Sequence, residues 1–345
     1  MSAPAPEVRT QGARILVTGG AGFIGRHVVR ALTQAGASVV VADLKACAAP
    51  QGGRSVVGDL CDPAFRDAVV TPDLDGIVHL AAITSVLASV EDPAGVYALN
   101  VAATAGLLEL ARVRGVPRFI LASTNAVIGD VGDRVIDESL APRPLTPYGG
   151  SKAACEMLLS AYQGSYGMTT CALRLTNVYG TGMAAKDSFV PRLMRAARDG
   201  GKVEVYGDGS QSRDLVNVLD VAQGLLLAWR RGVTGPLVLG GGRSVSVLDM
   251  VAAASRASGT QIPVRHVPGK PGEMPAVRVD LGRARSFGYQ PAVGLEEGLR
   301  EVWADFRGDG RDGRDSRDGL DSREGQDGPV ARDGRDGRQA GRAAA

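Results

Sequence analysis

Tyr148 and Lys152 stand four residues apart in Tyr148-Gly149-Gly150-Ser151-Lys152. On a helix, that spacing brings both side chains onto one face. A free phenol has a pKa of about 10 and keeps its proton at neutral pH. A neighbouring ammonium favours the phenolate, so the pair is a candidate acid–base couple. Tyr-x-x-x-Lys is also an ordinary pairing on exposed helices, so its meaning depends on what else the chain carries. It carries Gly19-x-x-Gly22-x-x-Gly25, directly after the apolar run Arg14-Ile15-Leu16-Val17-Thr18. Glycines at such a turn permit φ > 0 and a close approach of backbone to ligand, and free amides at a helix start attract a pyrophosphate. The spacing differs by one residue from the G-x-G-x-x-G dinucleotide pattern. Asp43 closes the next apolar run, Ser38-Val39-Val40-Val41-Ala42-Asp43. An acidic residue there suits the 2′-hydroxyl of an adenosine ribose. Glycine turn and aspartate together predict a dinucleotide site.

The elements that must position these groups follow from periodicity. Strands are expected at 14–18, 38–43, 55–57, 76–80, 117–122 and 169–175, with helices at about 23–36, 63–70, 93–114 and 149–165 between them. Such alternation predicts an α/β fold: a doubly wound parallel Rossmann sheet with helices on both faces. Beyond residue 175 the pattern is less regular. Helices are expected near 188–199, 219–231 and 295–306, and short strands around 237–239 and 263–267. We therefore expect a dinucleotide-binding domain over 13–175. A smaller mixed α/β substrate lobe over 176–306, partly interleaved with the sheet, would cover its carboxyl ends.

With 345 residues the chain is long enough for a substantial core. Its formal net charge is +2 with both signs interspersed, so neither a nucleic-acid nor a membrane partner is expected. Residues 1–12 lack a basic region and an apolar core, which reads as a flexible N-terminus rather than a signal peptide. No apolar run approaches the length of a membrane span. Cys47, Cys61, Cys155 and Cys171 form no C-x-x-C, so free thiols in a cytoplasmic protein are expected. His27, His79 and His266 lie far apart in sequence, and no metal site is expected. From 307 to 345 a Gly-Arg-Asp repeat takes over, with nine arginines matched by nine acids. It reads as a disordered, self-neutralising tail.

The motifs, taken in order, resemble the extended short-chain dehydrogenase/reductase superfamily, in its NAD-dependent nucleotide-sugar epimerase/dehydratase branch. The resemblance runs from about Arg14 to Val302. It rests on Thr18-Gly19-Gly20-Ala21-Gly22-Phe23-Ile24-Gly25, Gly58-Asp59-Leu60, His79-Leu80-Ala81-Ala82 and Leu99-Asn100-Val101. It continues through Ala122-Ser123-Thr124, Tyr148/Lys152, Arg174-Leu175-Thr176-Asn177-Val178-Tyr179-Gly180 and Gly207-Asp208-Gly209-Ser210-Gln211-Ser212-Arg213-Asp214. The resemblance implies NAD as cofactor. Its contacts would be Gly19, Gly22, Phe23, Ile24 and Gly25, then Asp43, Asp59 and Leu60. Leu80, Ala81, Ala82, Asn100 and Ser123 would follow, with Tyr148 and Lys152. It implies that Thr124 hydrogen-bonds the reacting sugar oxygen, that Tyr148 is the base, and that Lys152 is its electrostatic partner. Asn177 and Arg213 would hold the nucleotide diphosphate, Lys270 would be a further contact, and Lys186 would face the sugar. A homodimer through helices 93–114 and 149–165 is also implied.

Within that branch, dehydratases carry an acidic residue after the reactive threonine; here Asn125 and Ala126 follow Thr124. Dehydration must remove a C5 proton and protonate a leaving hydroxyl, which neither an amide nor a methyl group can do. The expectation is therefore a 4-epimerase acting on a nucleotide hexose, with a UDP-sugar favoured. A nucleotide-sugar oxidoreductase or dehydratase is the alternative, and a non-catalytic cofactor sensor the remote one. Departures from the family pattern fall on the sugar side: Ile128 replaces a tyrosine, Thr181 a proline, and Lys270 an arginine.

Overall fold

The computed structural model describes residues 8–268 and 276–308. Its strands are β1 (Arg14–Thr18), β2 (Ser38–Asp43), β3 (Arg54–Val57), β4 (Gly76–His79), β5 (Arg118–Thr124), β6 (Val135–Ile136) and β7 (Thr169–Leu175). They continue with β8 (Asn177–Tyr179), β9 (Val203–Tyr206), β10 (Ser212–Asn217), β11 (Gly235–Leu239), β12 (Ser244–Ser246), β13 (Val264–Val267) and β14 (Arg278–Val279). Seven of them form a parallel sheet in the order β3-β2-β1-β4-β5-β7-β11. The order reverses beside β1, and at such a switch point the loops after neighbouring strands diverge and open a crevice. This is a Rossmann-type sheet.

The helices are α1 (Phe23–Gln34), α2 (Pro63–Val69), α3 (Val86–Glu91), α4 (Pro93–Tyr97), α5 (Thr104–Val113) and α6 (Pro147–Tyr166). After them come α7 (Phe189–Asp199), α8 (Val218–Arg231), α9 (Val247–Ser258), α10 (Gly282–Ser286) and α11 (Leu295–Arg307). Alternation along the strands feeds two cores. Val39 and Val41 of β2 pack with Val28 and Leu32 of α1 and Leu225 and Trp229 of α8. Val40 and Ala42 face the other side, with Leu107 and Leu108 of α5 and Leu159 of α6. Burial on both faces is why these strands read as nearly unbroken apolar runs.

Helix α6 shows how local chemistry sets the site. Thr146 caps it, accepting from Gly149 N at 3.2 Å, and Pro147 occupies the first turn, where its missing N–H costs nothing. The helix therefore starts two residues earlier than the expected 149, which puts Tyr148 in its first turn and Lys152 one turn on. The stretch expected as one helix over 93–114 runs through α4, a π-helical turn (Ala98–Ala103) and α5. By length and composition alone Pro93–Val113, 21 residues, is apolar enough to cross a bilayer, so the expectation of no such segment is corrected. Its Val96, Ala103, Leu107, Leu108 and Ala111 are buried in the protein.

Beyond β7 the chain builds a second packed group. Strands β8, β10 and β12 form a small sheet, β9 pairs with β13, and α7, α9 and α11 share a third core containing Leu193, Met250 and Val302. The strand expected near 237–239 is β11, the edge of the main sheet. Helix α9 was not expected at all. Its signal was present in Ser246-x-x-Asp249, a capping box in which Asp249 N donates to Ser246 Oγ at 3.0 Å. At the other end, the N-terminal stretch expected to be flexible is tied down from Val8 onward. Val8 N donates to Arg230 O at 2.7 Å, Gly12 N to Gly36 O at 2.9 Å, and Thr10 is buried. Residues 1–7, and the repeat tail from 309 onward, lie outside the described residues.

Candidate active site

A cavity of about 660 Å3 opens over the carboxyl ends of β1, β4 and β5 and reaches into the second lobe. Gly19, Gly22, Phe23, Ile24 and Gly25 line one end. Gly19 has φ +71°, and a Cβ there would lie 2.6 Å from Ala81 N; a Cβ on Gly25 would run into the Gly19 carbonyl oxygen. These glycines are required by close backbone approach, and they leave the start of α1 open to a ligand. Asp43 ends β2, where Oδ2 accepts from Ala21 N at 3.0 Å and Oδ1 from Lys45 N at 3.1 Å. It also faces the cavity, with Asp59 and Leu60 beyond it and Leu80, Ala81 and Ala82 after β4. A glycine cradle at a helix start with a carboxylate at the end of β2 fits NAD: the amides would hold its pyrophosphate and Asp43 its adenosine ribose.

Thr124, the last residue of β5, lines the cavity wall together with Tyr148 and Lys152 of α6. The Thr124 hydroxyl hydrogen-bonds the Tyr148 phenol and accepts from Ala126 N at 3.2 Å. Burial pushes Tyr148 up to about 12, and the Thr124 bond opposes it. Lys152 is 2% exposed. Burial pulls it down to about 8, against the opposing electrostatic influence of Cys155 and Glu156. It is therefore still mostly an ammonium at neutral pH.

A buried ion pair supports this wall. Arg174 Nη2 donates to Glu156 Oε2 at 2.8 Å, and its Nε bridges both carboxylate oxygens at 3.2 and 3.1 Å. Ser123 Oγ donates to Glu156 Oε1 at 2.5 Å. The Ser123 hydroxyl is thus committed to Glu156, although the residue lines the cavity. Sequence reasoning missed Glu156; its signal was the i+4 position after Lys152 on the buried face of α6.

Asn100, expected among the cofactor contacts, is not among the residues lining the cavity. Its Nδ2 donates to Ile83 O and Ser151 Oγ, both at 3.0 Å, and its Oδ1 accepts from Ile83 N at 2.9 Å. Ser151 Oγ in turn donates to Tyr148 O at 2.7 Å. Asn100 therefore supports the site from behind. Its own carbonyl, in the π-helical turn, accepts from Thr104 Oγ1 at 2.6 Å and Cys155 Sγ at 2.9 Å. Because Thr104 donates to that carbonyl, it accepts from His79 Nε2 at 2.9 Å, and His79 Nδ1 accepts from Thr18 at 2.6 Å. His79 is fully buried and neutral, pulled down to about 3 by burial and then by the Lys152 charge.

At the far end lie Asn177, Lys186 and Arg213. Asn177 spends one N–H on Asp214 O at 3.1 Å, and Arg213 Nη1 donates to Ser212 O at 2.9 Å. Lys186 is exposed; the neighbouring Asp187 is taken by Arg192 Nε at 2.7 Å and by Arg195. Arg192, Glu204, Tyr206 and Gln211 also line this end and were given no site role from sequence, although Gln211 lies within one of the quoted motifs. They lie on elements whose approach to the cavity depends on tertiary packing. Lys270 lies outside the described residues.

Residues 15–240 match the model of the NAD dependent epimerase/dehydratase family, and the chain belongs to that family. It is 33% identical over 308 residues to a dTDP-glucose 4,6-dehydratase of Streptomyces niveus, covering 84% of this chain and 91% of that one. Its fold is similar to the UDP-glucose 4-epimerase of Thermus thermophilus in complex with NAD, with TM-score 0.79 and 34% identity over 86% of this chain and 99% of that one. MoeE5 in complex with UDP-glucuronic acid and NAD matches with TM-score 0.78 and 34% identity, again over 86% and 99%. The cofactor is NAD, and the chain is an NAD-dependent epimerase/dehydratase-family enzyme.

Proposed function

We propose that this enzyme is a nucleotide-sugar 4-epimerase, with a UDP-hexose as the substrate class. The observation carrying the reading is that Thr124, Tyr148 and Lys152 share the cavity wall, with Thr124 hydrogen-bonded to Tyr148 and with Asn125 and Ala126 after the threonine in place of an acid. The carboxylates that line the cavity, Asp43, Asp59 and Glu204, are remote or occupied: Asp59 follows β3, four strands from β5, and accepts from Cys61 N. Asp43 sits three strands from β5, roughly 14 Å at sheet spacing, and Glu204 is ion-paired with Arg265.

Bound NAD supplies a reversible hydride acceptor. The protein's own part is proton handling and positioning. Thr124 hydrogen-bonds the sugar O4; Tyr148, as the phenolate, takes the O4 proton and later returns it; the Lys152 ammonium favours the phenolate before the first of those events and after the second. Asn177 and Arg213 hold the diphosphate while the sugar turns its other face, since a guanidinium suits phosphate oxygens. No net redox change results.

Mass spectrometry of products from a panel of nucleotide sugars in deuterated water tests this. An epimerase gives products of unchanged mass and no solvent deuterium. Loss of water with deuterium uptake at C5 would establish the dehydratase alternative, and an oxidised or reduced product the oxidoreductase.

We further propose a homodimer through α4–α5 and α6. Leu87, Val90, Tyr97 and Met157 on α3, α4 and α6 are exposed large apolar side chains on adjacent helices, and exposed apolar surface concentrated on one face favours an interface there. Light scattering giving a monomer mass at micromolar concentration would refute it.

A further inference from the structure

The segment from Gly180 to Ser188 contributes Met183, Lys186 and Ser188 to the cavity. It has little regular structure, and Gly180 and Gly182 hold φ of 150° and 82°. Side chains from three helices hold it. Asp305 of α11 accepts from Gly182 N at 2.8 Å. Arg195 of α7 donates to Ala184 O at 3.0 Å and Lys186 O at 3.2 Å. The third anchor is His27 of α1, whose Nε2 lies 3.0 Å from Thr181 O. A carbonyl oxygen only accepts, so Nε2 carries the proton and donates.

The His27 anchor differs from the others in its origin. It stands on the helix whose first turn is the glycine cradle, one turn beyond Phe23 and 7% exposed. Its ring meets Phe23 edge-on, with centroids 6.3 Å apart and planes at 84°. Phe23 itself lines the cavity beside Gly22 and Ile24. Arg26, the preceding residue, lies along Gly182, with its Nη1 3.1 Å from where a Cβ would stand. One turn of α1 thus touches both the dinucleotide end and the segment walling the far end.

We infer that His27 is a positioning residue that couples occupancy of the dinucleotide end to order in the Gly180–Ser188 segment. A pyrophosphate at the start of α1 steadies its first turn, Phe23 transmits that to the His27 ring, and the bond to Thr181 O fixes the segment. The consequence for substrate rests on the nucleotide-sugar reading above; the coupling to the segment does not.

Hydrogen–deuterium exchange of the peptide spanning 180–188, with and without saturating NAD, tests the coupling directly. In the wild type, NAD should slow its exchange at least fivefold. His27→Ala should abolish that difference, and His27→Gln, which can place an amide N–H near the same position, should restore most of it. Asp305→Ala should speed exchange throughout while keeping the response to NAD, because its anchor comes from α11. NAD affinity of His27→Ala should stay within threefold of wild type. Kinetics give the second readout: KM for the nucleotide sugar should rise about tenfold in His27→Ala, with kcat nearly unchanged. An NAD response that survives in His27→Ala, or that is absent in the wild type, overturns the coupling. If no nucleotide sugar is turned over but the exchange pattern holds, the 4-epimerase reading fails and the coupling stands.

Discussion

Replacing Lys152 with methionine should shift the pH dependence of turnover rather than simply abolish it. Tyr148 stands at about 12 in its buried setting, so service as a base near pH 7 requires a drop of about five units, roughly 7 kcal/mol at 1.36 per unit. On the mechanism proposed above, the Lys152 ammonium supplies part of that once cofactor and substrate are bound. The Cβ atoms of residues four apart on a helix lie about 5–6 Å from one another, and the charge separation is taken to be similar. At an effective dielectric of about 20, unit charges at 5 Å interact by about 3 kcal/mol, or about two pH units. Methionine keeps the stem's bulk and removes the charge. The acid limb of kcat/KM should therefore move about two units higher, and activity at pH 7 should fall about 100-fold. Lys152→Arg should restore the limb to within half a unit because it restores the cation. Tyr148→Phe sets the floor, with a loss of at least ~100-fold at every pH and NAD binding retained. The assay is initial-rate kinetics from pH 5.5 to 9.5, normalised to bound NAD. An unmoved acid limb in Lys152→Met would refute the electrostatic role.

Other outcomes follow from the same geometry. Asp43→Ala should narrow the preference for NAD over NADP, since the carboxylate repels a 2′-phosphate; equal wild-type affinities by calorimetry would contradict that role. Glu156→Gln leaves buried Arg174 without its counter-charge and should cost about 3–5 kcal/mol in urea unfolding; a loss under 1 kcal/mol would mean the pair is dispensable. His79, near 3 when folded against an ordinary 6.5, takes up a proton in the unfolded chain before it can in the folded one. Stability should therefore fall as pH drops below 6.5, by roughly 2 kcal/mol at pH 5. Unfolding curves for His79→Gln should have the shallower pH slope, and equal slopes would exclude His79 as the source. Lys186→Ala should raise KM for a UDP-uronate about tenfold and leave UDP-glucose nearly unaffected, since a charge-assisted bond contributes about 1.5–3 kcal/mol. Equal responses to the two substrates would end the idea of Lys186 as a carboxylate receptor.

Much of the architecture is legible in the chain itself. The sequence by itself determined the parallel sheet, because strands buried on both faces are written as apolar runs and the crossover helices as amphipathic ones. It also determined the glycine turn, the aspartate ending β2, and the tyrosine–lysine pair, because each is a local spacing with a fixed geometric consequence. It fell short where a residue's role depends on partners remote in the chain. Nothing near Asn100 shows that its amide is spent on Ile83 and Ser151 rather than on a ligand. Nothing near Ser123 shows that its hydroxyl is taken by Glu156, 33 residues on. Strand β11 carries no mark of the sheet it joins, because periodicity records which faces are buried and not by what. The contact of His27 with Thr181, 154 residues apart, exists only because α1 and the Gly180–Ser188 segment are folded onto each other. Local spacing dictates which groups a segment presents; only packing decides which of them face the cavity and which are used up behind it.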